Sequence, residues 1–348
     1  MSTNYRDLVP YDVVDLEASA RVSTCLSRSV GKFIAPFVPV NSLTGRVKLF
    51  GTSGLVRKDN LSAPGDFIRS RNVENGINPI SYDLLSNRHA EAAVVPVDLL
   101  KECWTNGICD KASLGNLLDG AIDDAVRSIM ISHSTSTVDL ATAQANYKAG
   151  NYFATATARG WVPWSQATAN PIVNIATDSV GLLKKNSPYM ANAAVIGQNV
   201  YAVLQGNAAL VNRFTNVQVG QVTEALMANL LGLTDVYVAD DSVINPVTGE
   251  YEPIFPANGL LLFNLDQTHK QCQDFTENVS GRTKFSSFYT YVPSCGTYAG
   301  GIEISDPDYV SEIHSIRSNV LSYYQPLGVG ALANGLQGTA LFINDVLV

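Results

Sequence analysis

Between Trp161 and Asn245 the apolar positions change period several times, and each change marks an element. Ile172, Ile175, Ala176, Val180 and Leu183 recur every three or four residues, which is one face of a helix. Pro171 suits its first turn, where a missing N–H is tolerated, and Asn170 precedes it as a cap. Lys184 and Lys185 fall in the last turn, where cations suit the helix dipole, and Pro188 stops the helix. Ala193–Ile196 is a short apolar run between Asn192 and Gly197, the pattern of a buried strand. Val200, Tyr201 and Leu204 predict a short helix, and Leu210 and Phe214 continue an apolar face past the Gly206-Asn207 break. Val222, Leu226, Leu230 and Leu231 predict another helix, with Glu224 near its start and Gly232 at its end. Asp235–Ala239 reads as a second strand, and Asp240-Asp241 begins a turn. Strands alternating with helices predict a small mixed sheet with helices packed on it.

Upstream, the pattern is less regular. In residues 1–41 the apolar stretch Phe33–Val40 is interrupted by Pro36 and Pro39, which oppose a helix and predict an extended arm. Residues 42–96 read as an excursion. Val47 and Leu49 alternate with Arg46 and Lys48, a flexible polar stretch follows, Phe67 to Val73 is a candidate returning strand, and Ile80, Tyr82 and Leu84 alternate again. Leu114, Leu117, Leu118, Ala121, Ala125 and Ile129 then form one face of a long helix, placed at about 110–133. Gly115 and Gly120 each cost about 1 kcal/mol relative to alanine, so packing has to hold it. Residues 134–160, rich in Ser, Thr, Ala and Asn, read as a helix end and an irregular connection. Trp161 and Trp164 around Pro163 read as packing.

Toward the C-terminus, Leu260–Phe263 and Ala340–Ile343 read as strands, and Phe285 to Val292 has strand composition. Tyr309, Ile313, Ile316 and Val320 fit a helix, while Val320 to Tyr324 fits a strand. Four glycines between Gly328 and Gly338 break the chain before the last strand.

The order of aromatic, proline, helix and strand elements at 161–245 resembles the central part of the major capsid proteins of tailed bacteriophages with the Hong Kong 97 fold. The arm, the excursion and the long helix precede it in matching order. The resemblance implies an α+β fold with an N-terminal arm (1–41), an extended loop (42–96), a peripheral domain with a long spine helix (97–164 and 259–348) and an axial domain (165–258). It implies that Arg46, Lys48, Arg57, Lys58, Arg69 and Arg71 of the extended loop contact a neighbouring subunit. Lys48 and Lys58 are also the only donors in that loop for the Lys–Asn cross-links some relatives form, and no matching Asn and carboxylate are identifiable. The match is weakest in the last seventy residues.

Composition narrows the picture further. Charged residues are only 16% of 348, against about 25% in average soluble proteins. No apolar run approaches the roughly 18 residues of a membrane span. Depleted charge fits broad subunit contacts and fits a large neutral-surfaced protein equally. The net charge of −8 argues against a general nucleic-acid binder and suits a container for DNA held without sequence specificity. The five cysteines, at 25, 103, 109, 272 and 295, form no zinc spacing and read as free thiols. No apolar signal region opens the chain.

Candidate chemistry is sparse. One glycine follows the strand at Ala193–Ile196, where a dinucleotide fingerprint needs several, and no phosphate loop occurs. Asp123-Asp124 reads as a solvated helix face. His269 and Cys272 have no further ligands nearby in sequence. The four histidines lie far apart. The expectation is therefore no enzyme, no cofactor and no metal. The chain is expected to self-assemble into hexamers and pentamers of an icosahedral head shell, assembled in the bacterial cytoplasm and carried in the virion. Its expected partners are portal, scaffold and decoration proteins and packaged double-stranded DNA, with no membrane. The alternatives are an encapsulin-like nanocompartment shell and, from a different class, an α/β enzyme or ligand-binding protein.

Overall fold

Uninterrupted apolar strands need cover on both faces, and the centre of this protein supplies it. The computed structural model describes residues 29–35, 37–40, 42–50, 77–99, 111–147, 149–183, 190–212, 223–245, 247–264, 287–291, 302–305, 308–327 and 340–348. A five-stranded sheet contains β5 (Tyr152–Thr155), β6 (Ala193–Gly197), β7 (Asp235–Ala239), β10 (Leu260–Phe263) and β15 (Ala340–Asp345), in the order β5-β15-β10-β6-β7. β10 lies at the centre, antiparallel to both β6 and β15, while β6–β7 and β15–β5 are parallel. Alternate residues go to opposite cores. Ala194, Ile196, Leu260, Leu262, Leu341 and Ile343 join one core with Trp164, Ile175, Leu204, Met227 and Leu231. Ala193, Val195, Leu261, Phe263 and Phe342 join another with Val30, Ile34, Val138, Tyr147 and Phe255.

Local signals set the helices that cover the first face. α4 (Pro171–Asp178) starts where Asn170 Oδ1 accepts from Val173 N at 3.3 Å, and it continues through a π-turn at Ser179–Leu183. α5 (Gln198–Gly206) is followed by α6 (Ala208–Val211), capped by Asn207 Oδ1 on Ala209 N at 3.0 Å. α7 (Glu224–Leu231) is capped by Thr223 and ends at Gly232, whose φ of 72° is left-handed. The short α3 (Ala156–Arg159) carries Arg159, whose Nε donates to the buried Asp178 Oδ2 at 2.6 Å and whose Nη2 pairs with Oδ1. That pair fixes α3 against α4.

A second, six-stranded sheet is built around the long β14 (Ser315–Leu327). β4 (Arg88–Pro96) pairs antiparallel along one edge, from Pro96 at Ser315 to Arg88 at Tyr323. β11 (Ser287–Tyr291), β12 (Ile302–Ile304) and β13 (Asp308–Val310) follow one another along β14, and β1 (Phe37–Val40) is parallel to β11. The helix α2 (Lys111–Thr142), about 48 Å long at 1.5 Å per residue, packs on this sheet through Ile122, Val126 and Ile129 against Val95, Ile316 and Val320. Its last turns reach the five-stranded sheet through Val138 and Ala141. One helix therefore spans both cores. α1 (Val30–Ile34) crosses it, and a Cβ on Gly31 would lie 2.6 Å from Ser134 Cα.

Two small antiparallel pairs stand apart from these sheets: β2 (Thr44–Phe50) with β3 (Ile77–Asp83), and β8 (Ser242–Ile244) with β9 (Tyr251–Pro253).

Several expectations are corrected. The long helix ends at Thr142, not 133. The helix end read within 134–160 is residues 134–142, where Thr135, Thr137 and Thr142 each donate to the carbonyl four residues back, at 2.9 Å. With the hydroxyls satisfied inside the helix, Thr137 can be buried. Residues 152–155 form a strand where a connection was expected. A helical turn at Val30–Ile34 precedes the prolines of the arm, capped by Ser29 on Lys32 N. Ser315–Leu327 is strand throughout, not helix. The division drawn at 96 and 258 is not followed by the pairing: Arg88–Pro96 belongs to the sheet under α2, and Leu260–Phe263 and Ala340–Asp345 belong to the sheet of β6. The candidate strand at 67–73, and Lys184, Lys185 and Phe214, lie outside the described residues.

Candidate assembly surfaces

Three places in the chain could pass for chemical sites, and the geometry gives each a packing role. Gly197 ends a strand and precedes α5, as in a nucleotide-binding turn. A Cβ there would sit 2.1 Å from Ala257 O. Gly197 N donates to Gly259 O at 3.0 Å and Asn199 N to Ala257 O at 3.1 Å. The start of the helix is thus filled by the protein's own 256–259 turn, with no cradle for a phosphate.

The second is a Ser–His pair. His133 Nε2 lies 3.2 Å from Ser322 Oγ, bringing α2 to β14. The His133 ring stands edge-on to Tyr324 at 3.9 Å, and His89 of β4 also packs on Tyr324, at 4.6 Å. His133 is 3% exposed and Ser322 fully buried. Burial first, and His89 second, push the His133 pKa down to about 3. A base so weak, sealed from any substrate, has no use for activating a nucleophile near neutral pH. Burial also raises Tyr324 to about 12. These groups fill the seam between helix and sheet.

The third is the aromatic pair. Trp161 and Trp164 stack at 5.8 Å and 6°, with Trp164 buried, so neither presents a free face to a base. A cleft of about 360 Å³ also opens between α2 and the β7–β8 turn, lined by Arg127, Met130, Ser134, Asp241 and Ile254. At its floor Asp241 Oδ2 accepts from Val30 N at 2.8 Å, a contact that anchors α1. No group of three or more His, Cys, Asp or Glu suited to a metal occurs among the described residues. No described helix is long and apolar enough to cross a membrane. All five cysteines, and His269, lie outside the described residues.

Of the six candidate contact residues, Arg46 and Lys48 lie in β2 at alternate register positions, opposite Ser81 and Pro79. Arg57, Lys58, Arg69 and Arg71 lie outside the described residues. The β2–β3 ribbon is tied to the six-stranded sheet where Asp83 N donates to Gln325 Oε1 at 2.9 Å. Sequence reasoning missed the second ribbon. Its strands β8 and β9 are three residues each and too short to show a period of two.

No family model matches the chain and no curated protein matches it in sequence. Among solved structures it is similar to a phage-related protein from Bordetella bronchiseptica RB50, with a TM-score of 0.67 and 15% identity, covering 97% of this chain and 98% of that one. It is also similar, at a TM-score of 0.48 and 9% identity, to a chain of the capsid of Staphylococcus phage Andhra, over 92% and 86% of the two chains. The SrpI encapsulin of Synechococcus elongatus PCC 7942 gives a TM-score of 0.45 and 11% identity over 92% and 93%. The fold is α+β and is shared with the Bordetella phage-related protein over nearly the whole of both chains.

Proposed function

We propose that this chain is the major capsid protein of a tailed double-stranded DNA bacteriophage, acting by self-assembly and not by catalysis. The observation that carries the reading is the spine helix α2, which packs its first part on one sheet and its end on the other. A rigid rod through two cores suits a wall element. The ribbon β2–β3, projecting from one end of β14, suits overlap with a neighbour. In this reading the five-stranded sheet with α4–α7 is the axial domain, gathered about hexamer and pentamer axes. The six-stranded sheet with α2 is the peripheral domain. Many modest contacts per subunit then act together, as in multivalent binding. Portal, scaffold and decoration proteins and the packaged DNA are the partners, and the virion is the location.

Electron microscopy of the purified full chain tests the reading. Closed shells are expected for the wild type. Deleting residues 51–66, which lie between β2 and β3 in the sequence, is expected to leave folded subunits that build no shells. A monomer or dimer as the stable wild-type product would sink the shell reading. Normal shells from the deletion would remove the role given to the ribbon.

A further inference from the structure

The β8–β9 hairpin presents apolar side chains that no other described part of its subunit covers. Ile244 and Tyr251 are a directly opposed cross-strand pair, 52% and 74% exposed, and Val247 at the turn is 90% exposed. Alternation places Glu250 and Glu252 on the face opposite Tyr251. Four carboxylates and no Lys or Arg lie between Asp240 and Glu252.

The tip is held in shape. Asn245 Oδ1 accepts from Val247 N at 2.8 Å, Asn245 Nδ2 donates to Glu252 Oε1 at 2.8 Å, and Gly249 N donates to Asn245 O at 2.8 Å with a φ of 73°. At the base, Ile254 N donates to Asp241 O at 3.0 Å, and Asp241 is tied to α1. A two-stranded hairpin this short is marginal alone. One held rigid while displaying Val247 and Tyr251 is prepared for a partner, because little ordering remains to be done on binding.

Resting on the shell reading, we propose that this hairpin is a contact between copies, and that its occupant is the β2–β3 ribbon of a second copy. Charge complementarity selects that occupant. β2 carries Arg46 and Lys48 at alternate positions and no carboxylate, in a chain whose net charge is −8. Its neighbours Val47, Leu49 and Phe50 match the apolar side of the hairpin in composition. An acidic hairpin meeting a basic ribbon gains attraction, while two hairpins facing each other would repel.

The test places a photo-activatable benzoylphenylalanine at Val247 in the full chain, assembled from an equal mixture of 15N-labelled and unlabelled copies. Cross-linked peptides joining residue 247 to residues 44–50 or 77–83 of the other isotope are expected. Cross-links within one copy, to another surface of a second copy, or to a different protein overturn the proposal. As a second arm, E250K/E252K is expected to lower shell yield at least tenfold, R46E/K48E likewise, and the two together to restore it. Wild-type yield from either pair alone, or no recovery on combination, also overturns it. Wild-type chain that builds no shell would instead fail the shell reading, so the two failures are distinct.

Discussion

The two large sheets are dressed differently. The five-stranded sheet is covered on both faces, and every residue of β6 and β10 is buried. Among the described residues, the six-stranded sheet is covered, by α2, on one face only. On that face Ala93, Val95, Ile316 and Val320 are buried, while on the other Arg88, Ala90, Ala92 and Val94 are exposed and Asn319, Leu321 and Tyr323 are half-buried. A sheet dry on both sides carries its own stability. A sheet dry on one side keeps a broad, lightly charged surface to offer. The difference separates the part that holds the subunit together from the part available to hold subunits to each other.

The largest expected effect lies in the dry sheet. Phe342 is fully buried and packs with Tyr147, Tyr152 and Phe255 at ring distances of 5.5 to 6.2 Å. Phe342→Ala is expected to cost the subunit about 3 to 5 kcal/mol in urea unfolding. A cost under about 1 kcal/mol would mean that this sheet is not the stabilising core.

The same contrast explains what the sequence made legible. β6, β7, β10 and β15 were readable because two-sided burial leaves continuous apolar runs. β14 was readable only at Val320–Tyr324, because its helix-facing positions are Ile316, Ser318, Val320, Ser322 and Tyr324. The buried serines hide the period of two, and the remaining apolar residues recur every four, which also fits a helix. Ser318 tolerates burial because its Oγ donates to Ser305 O at 2.7 Å, and no local pattern announces that partner. The sheet memberships of β4 and β5 depend on pairing across more than 180 residues, which spacing cannot reveal. The strand that carries Arg46 and Lys48 was legible from alternation. The β8–β9 hairpin was not legible, since three-residue strands show no period.

The seam between the two regions gives an intermediate effect. His133 is held neutral where α2 meets β14 and β4, facing Ser322 and Tyr324 of β14 and His89 of β4, with Glu91 beside His89. Its folded pKa of about 3 lies below the ordinary 6.5, so the unfolded chain binds the proton first as pH falls. This contribution to stability is whole above pH 6.5 and declines from there toward pH 3, by up to about 1.4 kcal/mol per pH unit. Urea unfolding of unassembled subunits at pH 7 and pH 5 is expected to show a loss of roughly 2 kcal/mol that His133→Gln largely abolishes. Equal pH dependence in the variant would remove His133 from the account.

The smallest expected effect is the most discriminating. Val94 lies in β4 with the same apolar character as its buried neighbours Ala93 and Val95, but on the open face at 41% exposure. Val94→Ser removes little buried area within the subunit, so its unfolding free energy is expected to change by no more than about 0.5 kcal/mol. If the open face is covered only in the shell, the same change acts at every subunit contact at once. Shells of the variant are then expected to dissociate at lower denaturant than wild type, although the subunits unfold alike. Equal shell dissociation would leave the open face without a role in assembly. A subunit cost near that of a buried valine, roughly 1.5 kcal/mol or more, would show the face already covered within one chain and remove the contrast between the two sheets.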